Sequence, residues 1–208
     1  MSNIAIAWKF WILWVLVCIG GGIGCFILGF LIFTTRNQNS LGAFVGLSMI
    51  GILWATPQYL LLKNYTPKIN GIWVLVSVAG TIASSVIAGY ILKVLDRNLG
   101  WAVIGAVAAI FPYLVLRPHF LRASSWILAN GVGLFISIVT GEVVFRVVSK
   151  AIEQPPTGDA GDSGLSALAE ATSVLFYSSL VTGVVSLGTY GAITGGTLVW
   201  LLRHPRRK

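Results

Sequence analysis

The sequence predicts an all-α integral membrane protein, a bundle of six transmembrane helices. Six stretches of 19 to 32 residues contain no charged side chain, and a helix needs about 20 apolar residues to cross about 30 Å of hydrocarbon. The chain is 56% hydrophobic and 10% charged, with a mean hydropathy of +0.87, whereas a soluble domain is about 25% charged. Because the spans use most of the 208 residues, we expect residues 1–208 to form a single transmembrane domain.

The uncharged runs cover residues 10–35, 37–62, 69–92, 98–116, 123–141 and 171–202. Adjusted at their ends, they predict helices at 10–33, 41–62, 71–93, 99–116, 124–146 and 167–202. Helices are required because an open sheet edge in lipid would leave backbone donors unpaired. The last run would be about 48 Å long as a helix, which favours one long, tilted or kinked helix over two short ones.

The connection at residues 149–166 differs in composition from the other, shorter connections. It contains Pro155 and Pro156, followed by a run of small and acidic residues that ends at Gly164. This composition is typical of a solvated linker, so we expect a flexible loop here.

Charge asymmetry predicts the orientation of the bundle. With six spans, one side of the membrane carries both termini and holds nine Lys and Arg residues and no acid, whereas the other side holds five bases and all six acids. Positive charge favours the cytoplasmic side. We therefore expect cytoplasmic N- and C-termini. The same rule explains the net charge of +8 without a nucleic-acid partner.

An internal repeat is the most specific pattern in the chain. The second, fourth and sixth segments end at Lys63, Arg117 and Arg203, each preceded by leucine and each with a glycine twelve residues earlier, at Gly51, Gly105 and Gly191. The first, third and fifth segments open on Trp11, Trp73 and Trp126, each followed seven residues later by a small residue, at Cys18, Gly80 and Gly133. The pattern predicts three parallel two-helix units at about 8–63, 71–117 and 124–203, although convergence on general membrane rules is the alternative.

Elementary membrane physics assigns roles to the repeated residues. Glycine lets helices approach closely where lipid provides no hydrophobic drive to pair them, which predicts helix packing at Gly51, Gly80, Gly105, Gly133, Gly191 and Gly195. Tryptophan and terminal bases favour the headgroup level, which predicts interface anchors at Trp11, Trp73, Trp126, Lys63, Arg117 and Arg203.

The glycine-containing hairpins that end Leu-x-Leu-Arg, and the ending Gly-Ala-Ile-Thr-Gly-Gly-Thr-Leu-Val-Trp-Leu-Leu-Arg at 191–203, carry a family resemblance. Over nearly the whole chain, the sequence resembles a loose group of multi-pass membrane proteins frequent in cyanobacteria. The residues Thr56-Pro57-Gln58-Tyr59 depart from the glutamine-tryptophan pair of that group. The resemblance implies no established activity and no functional residue.

Three polar residues are candidates for lining a polar cavity: Gln58, Asn130 and Glu142. The alternative for the two amides is hydrogen bonding to a neighbouring helix. For Glu142 it is a surface pair with Arg146, four residues later on the same helix face. We predict no catalytic residue, no metal ligand and no cofactor, because no nucleophile, ligand cluster or phosphate loop has a suitable spacing.

The sequence therefore predicts a non-enzymatic multi-pass membrane protein, a scaffold or accessory subunit of a larger membrane complex. A small-solute transporter or channel is the alternative. The expected partners are membrane lipid and either other membrane subunits or a second copy of the chain. The expected location is a bacterial plasma membrane or thylakoid.

Overall fold

The computed structural model describes residues 3–34, 40–66, 69–152 and 164–205. These residues form six α-helices: α1 Asn3–Thr34, α2 Ser40–Tyr65, α3 Ile72–Val94, α4 Arg97–Leu116, α5 Ser125–Ile152 and α6 Gly164–Arg203. An isolated bridge joins Phe120 to Pro205, and no strand forms within these described ranges. The predicted all-α fold class is confirmed.

Among the described residues, five helices are long and apolar enough to cross a membrane. The five segments are Ala7–Leu28, Ile72–Val94, Arg97–Leu116, Ser125–Ala151 and Thr172–Arg203. They indicate an integral, multi-pass membrane protein. Helix α2 has 26 residues and packs between α1 and α3, but it is not among the five, so a sixth crossing stays a prediction.

Several helices are longer than the sequence predicts. Helix α1 begins at Asn3, and α5 continues to Ile152. Helix α6 is continuous over 40 residues, which settles the choice between one helix and two. The predicted loop at 149–166 is too wide, because residues 149–152 and 164–166 are helical. The remainder of that loop, residues 153–163, lies outside the described residues.

The six helices form a closed ring. Each helix packs against the helix before it and the helix after it, and α6 packs against α1. Contacts across the ring come instead from long side chains: Trp14 on α1 reaches Trp126 on α5, with 6.1 Å between ring centroids. Trp73 on α3 also reaches Trp126, at 5.9 Å.

These rings belong to an aromatic core that fills one end of the bundle, the end where α2, α4 and α6 finish. Large buried members of this aromatic core include Phe10, Trp14, Leu62, Trp73, Leu116, Phe120, Trp126 and Leu201. Side chains of this size fill the space that six helices leave around a common axis, and their burial removes apolar surface from solvent and lipid. The aromatic core therefore closes this end of the ring.

The aromatic core corrects two predicted interface anchors. Trp73 and Trp126 are 0% and 3% exposed, so neither ring reaches the headgroups around the bundle. The expectation was wrong for these two because an opening tryptophan satisfies the same sequence pattern whether it faces inward or outward. Trp11 is half-buried and donates its indole N–H to the carbonyl oxygen of Ala192 on α6, at 2.9 Å. Lys63, Arg117 and Arg203 are exposed at the ends of their helices.

Candidate functional site

Glycines on the even-numbered helices allow close contact with the next helix around the ring. A Cβ atom added to Gly105 of α4 would lie 2.7 Å from the carbonyl oxygen of Asn130 on α5. The same atom on Gly51 would lie 3.1 Å from the Cα of Val78, and on Gly191 3.0 Å from the Cβ of Cys18. The three glycines twelve residues before the terminal bases thus all lie at a contact with the following helix, and for α6 that helix is α1.

Two of the predicted packing glycines on the odd-numbered helices, Gly80 and Gly133, each face the helix that follows in the chain. Gly80 of α3 lies directly against the carbonyl of Ala108 on α4. Gly133 of α5 lies against the ring of Tyr190 on α6. Gly195 lies against Trp14, where an added Cβ would come within 2.8 Å of the indole ring. All six glycines predicted to pack helices therefore lie at helix contacts, while the three-unit repeat itself stays a prediction.

Two of the three candidate cavity residues, Gln58 and Asn130, lie inside the ring beside the aromatic core. The Gln58 amide nitrogen lies 3.8 Å from the sulfur of Cys18. The Asn130 amide donates to the carbonyl of Trp126 at 2.8 Å, and the Tyr190 hydroxyl donates to the Asn130 Oδ1. Each amide is buried and has a protein partner, as the helix-packing alternative expects.

A threonine extends this group of polar residues. The Thr194 hydroxyl accepts a hydrogen bond from the Trp14 indole at 3.0 Å and donates to the carbonyl of Tyr190 at 2.9 Å. Helices α1, α2, α5 and α6 all contribute to this interior polar layer, which consists of Cys18, Gln58, Asn130, Tyr190 and Thr194. Sequence reasoning missed Tyr190 and Thr194, because a tyrosine or threonine in a span is too common to indicate a buried partner.

Glu142, the third candidate, lies elsewhere. It follows Asn130 by twelve residues on α5, which is about 18 Å along a helix, so the three residues do not line one cavity. Its carboxylate forms an ion pair with Arg97 at the start of α4 and lies 4.0 Å from Arg146. The pair with Arg146 was predicted. Arg97 was missed, although antiparallel packing of α4 and α5 places the start of one helix near the end of the other.

A pocket of about 550 Å³ surrounds this ion-pair cluster. We call it the charged pocket. Its lining residues come from α4, α5 and α6: Arg97, Trp101, Ile138, Gly141, Glu142, Phe145, Arg146, Thr182 and Ser186.

Comparison with protein-family models, with curated proteins and with solved structures returns no match to this chain.

A second open site is the groove between α1 and α2, with a volume of about 490 Å³. We call it the glycine groove. It is lined by Val17, Gly20, Gly21, Gly24, Ile52, Leu53, Thr56 and Pro57. A Cβ atom added to Gly20 or Gly24 would meet no described residue within 4 Å. Pro57 removes one backbone donor from α2.

Groups that could hold a metal ion are not assembled in the described part of the chain. No cluster of three His, Cys, Asp or Glu side chains is found there. Cys18 and Cys25 are free thiols. The imidazole Nδ1 of His204 lies 2.8 Å from the carbonyl of Trp200, one turn earlier.

Proposed function

We propose that the protein is a non-enzymatic membrane scaffold or accessory subunit, and that the glycine groove receives a transmembrane helix of a partner. The observation that carries this proposal is a contrast between two small-xxx-small pairs. Gly191 and Gly195 are closely packed against Val15, Cys18 and Trp14 of α1. Gly20 and Gly24 have the same spacing, but within the described part of the chain nothing lies within 4 Å of a Cβ atom added to either.

The surroundings of the open pair suit a helix better than a polar ligand. Leu53 and Ile52 are 44% and 48% exposed on one wall of the groove. Close approach of backbones across glycine is a common way for membrane helices to associate. The partner is therefore an apolar helix with small residues at its contact face, either in another subunit or in a second copy of the chain.

Photo-crosslinking in native membranes tests the proposal. A photoreactive residue at Leu53 should give a discrete crosslinked product, while one at Leu128, which is 70% exposed on α5, should not. The substitutions Gly20→Leu and Gly24→Leu should abolish the Leu53 product, because leucine side chains fill the groove. The control Gly89→Leu, at another glycine with no neighbour within 4 Å, should preserve it. Equal products from Leu53 and Leu128, or persistence after the groove is filled, would contradict the proposal.

A solute transporter or channel is the second candidate, favoured by the interior polar layer. Gln58, Asn130 and Thr194 are buried side chains that face other helices of the ring. The aromatic core beyond them argues against an open pore. Reconstitution into liposomes separates the two candidates. A solute flux that Asn130→Leu abolishes would support transport and displace the scaffold.

A further inference from the structure

The charged pocket lies at the end of the bundle opposite the aromatic core. Helix α4 enters the pocket at Arg97 and ends in the aromatic core at Leu116. Gly141 follows Asn130 by three turns of α5 and so shares its inward face. Val143 and Val147, which are exposed, occupy another face. The pocket therefore opens on the inner side of α5, between α4 and α6.

The charges of the pocket do not cancel. Two guanidinium groups, Arg97 and Arg146, share the single carboxylate of Glu142, so one positive charge is left over. Each guanidinium has five N–H donors, more than one carboxylate can accept. The Arg97 and Arg146 side chains are 66% and 76% exposed, and they can reach a ligand without losing the pair with Glu142.

The rest of the lining is apolar or hydroxylic. Trp101, Ile138 and Phe145 supply apolar surface. The Thr182 hydroxyl is buried and has no hydrogen-bond partner among the described residues. An unpaired buried hydroxyl is costly, and a hydrogen bond from a ligand's polar group would offset that cost.

We propose that the charged pocket binds one anionic phospholipid, a phosphate diester with an uncharged polar headgroup. The phosphate lies between Arg97 and Arg146, and the headgroup bonds to the Thr182 hydroxyl. The part of the acyl chains nearest the headgroup packs against Trp101, Ile138 and Phe145. A single surplus positive charge matches a monoanionic headgroup, and a zwitterionic headgroup would bring an ammonium toward the guanidinium groups. This inference is independent of the glycine groove.

Lipid titration of the full-length protein tests the site. In an uncharged maltoside detergent, native mass spectrometry should show short-chain phosphatidylglycerol binding more tightly than phosphatidylcholine of equal chain length. Combined Arg97→Gln and Arg146→Gln should weaken phosphatidylglycerol binding by more than about tenfold, since a single hydrogen bond to a charged group is worth about 1.5–3 kcal/mol and about 1.4 kcal/mol is tenfold. Lys93→Gln removes another exposed base at the end of α3, outside the pocket lining, and should have no effect. Equal losses in both variants, or no headgroup preference, would overturn the proposal.

Thr182→Val supplies a test that does not depend on charge. It replaces an unpaired hydroxyl by a methyl group, so the thermal unfolding midpoint of the lipid-free protein should not fall. Phosphatidylglycerol binding should weaken about threefold, because a net hydrogen bond is worth about 0.5–1.5 kcal/mol. Unchanged binding would remove the threonine from the site. Glycerol phosphate competing as well as the lipid would assign the pocket to a soluble phosphate ester and refute the lipid.

Discussion

Two glycines of α3 differ in their surroundings: one is required for close packing against α4, and the other is not. Gly80 is buried against the backbone carbonyl of Ala108, whereas Gly89 is exposed with nothing within 4 Å of an added Cβ. The carbonyl belongs to the backbone of α4, so it cannot move aside as a flexible side chain would. The close α3–α4 contact therefore requires glycine at position 80 and places no such requirement on position 89.

Gly80→Ala should lower the free energy of unfolding by about 1–3 kcal/mol, the usual cost of overpacking a filled interior. Gly89→Ala should leave it unchanged or raise it slightly, because alanine favours helix over glycine. Denaturant titration in detergent micelles, followed by circular dichroism, measures both variants. Equal destabilisation would mean that the cost arises within α3 itself and not at α4.

The sequence predicted a residue's surroundings correctly where its side chain suits only one kind of environment inside a membrane span. A recurring glycine inside a span is useful mainly for close packing, and Gly51, Gly105 and Gly191 all lie at helix contacts. A tryptophan at a helix start allowed two arrangements, so Trp73 was misplaced at the interface. The ion pair between Arg97 and Glu142 forms only when α4 and α5 have the right offset along their axes. The positions of charged residues in the sequence do not determine that offset.

At the scale of elements, two indole groups of α1 join the first helix to the last. Trp11 bonds to the Ala192 carbonyl and Trp14 to the Thr194 hydroxyl. Trp14 is fully buried, while Trp8, six residues earlier on the same helix, is 59% exposed. The contact between α1 and α6 is the one that closes the ring, and these bonds fix its register.

Thr194→Val should weaken this closure with little change in volume. It leaves the buried Trp14 indole N–H without its acceptor, and hydrogen bonds between membrane helices are worth about 0.6 kcal/mol on average and about 1.7 at most. We expect a loss of about 1 kcal/mol in the free energy of unfolding. Trp14→Phe should cost more, because it also leaves a cavity. Trp8→Phe is the matched control and should change nothing measurable by thermal unfolding in detergent. A large effect of Trp8→Phe would place the stability of α1 outside its contact with α6.

Helix existence was easier to predict than helix extent. An uncharged run marks where lipid solvates a helix, and all six predicted helices are present. The run does not mark where the helix ends, because polar residues continue a helix beyond the hydrocarbon without penalty. Helix α5 thus continues past Arg146 and Lys150 to Ile152, and α6 begins at Gly164, seven residues before its uncharged run.

For the whole molecule, the order of neighbours follows from short connections, but closure of the ring does not. Short loops make consecutive helices pack together, as between Val94 and Arg97. Helix α6 can contact α1 only if the angles between successive neighbouring helices add up to a full circle. Those angles depend on every interface at once, including small residues such as Gly105 and Gly191.

The orientation of the ring in the membrane can be tested directly. In a membrane-spanning bundle, the two ends of α4 lie in different aqueous compartments. Leu95 follows α3 and Ser124 precedes α5, and both are exposed at opposite ends of α4. The end that includes Ser124 belongs to the side with nine bases and no acid, so it should face the cytoplasm. In sealed right-side-out vesicles, an impermeant maleimide should label Leu95→Cys at once and Ser124→Cys only after permeabilisation.

The unsubstituted chain is the control, since Cys18 is buried and Cys25 half-buried. Reversed labelling would invert the bundle, and labelling of both sites from one side would mean that α4 does not cross the membrane.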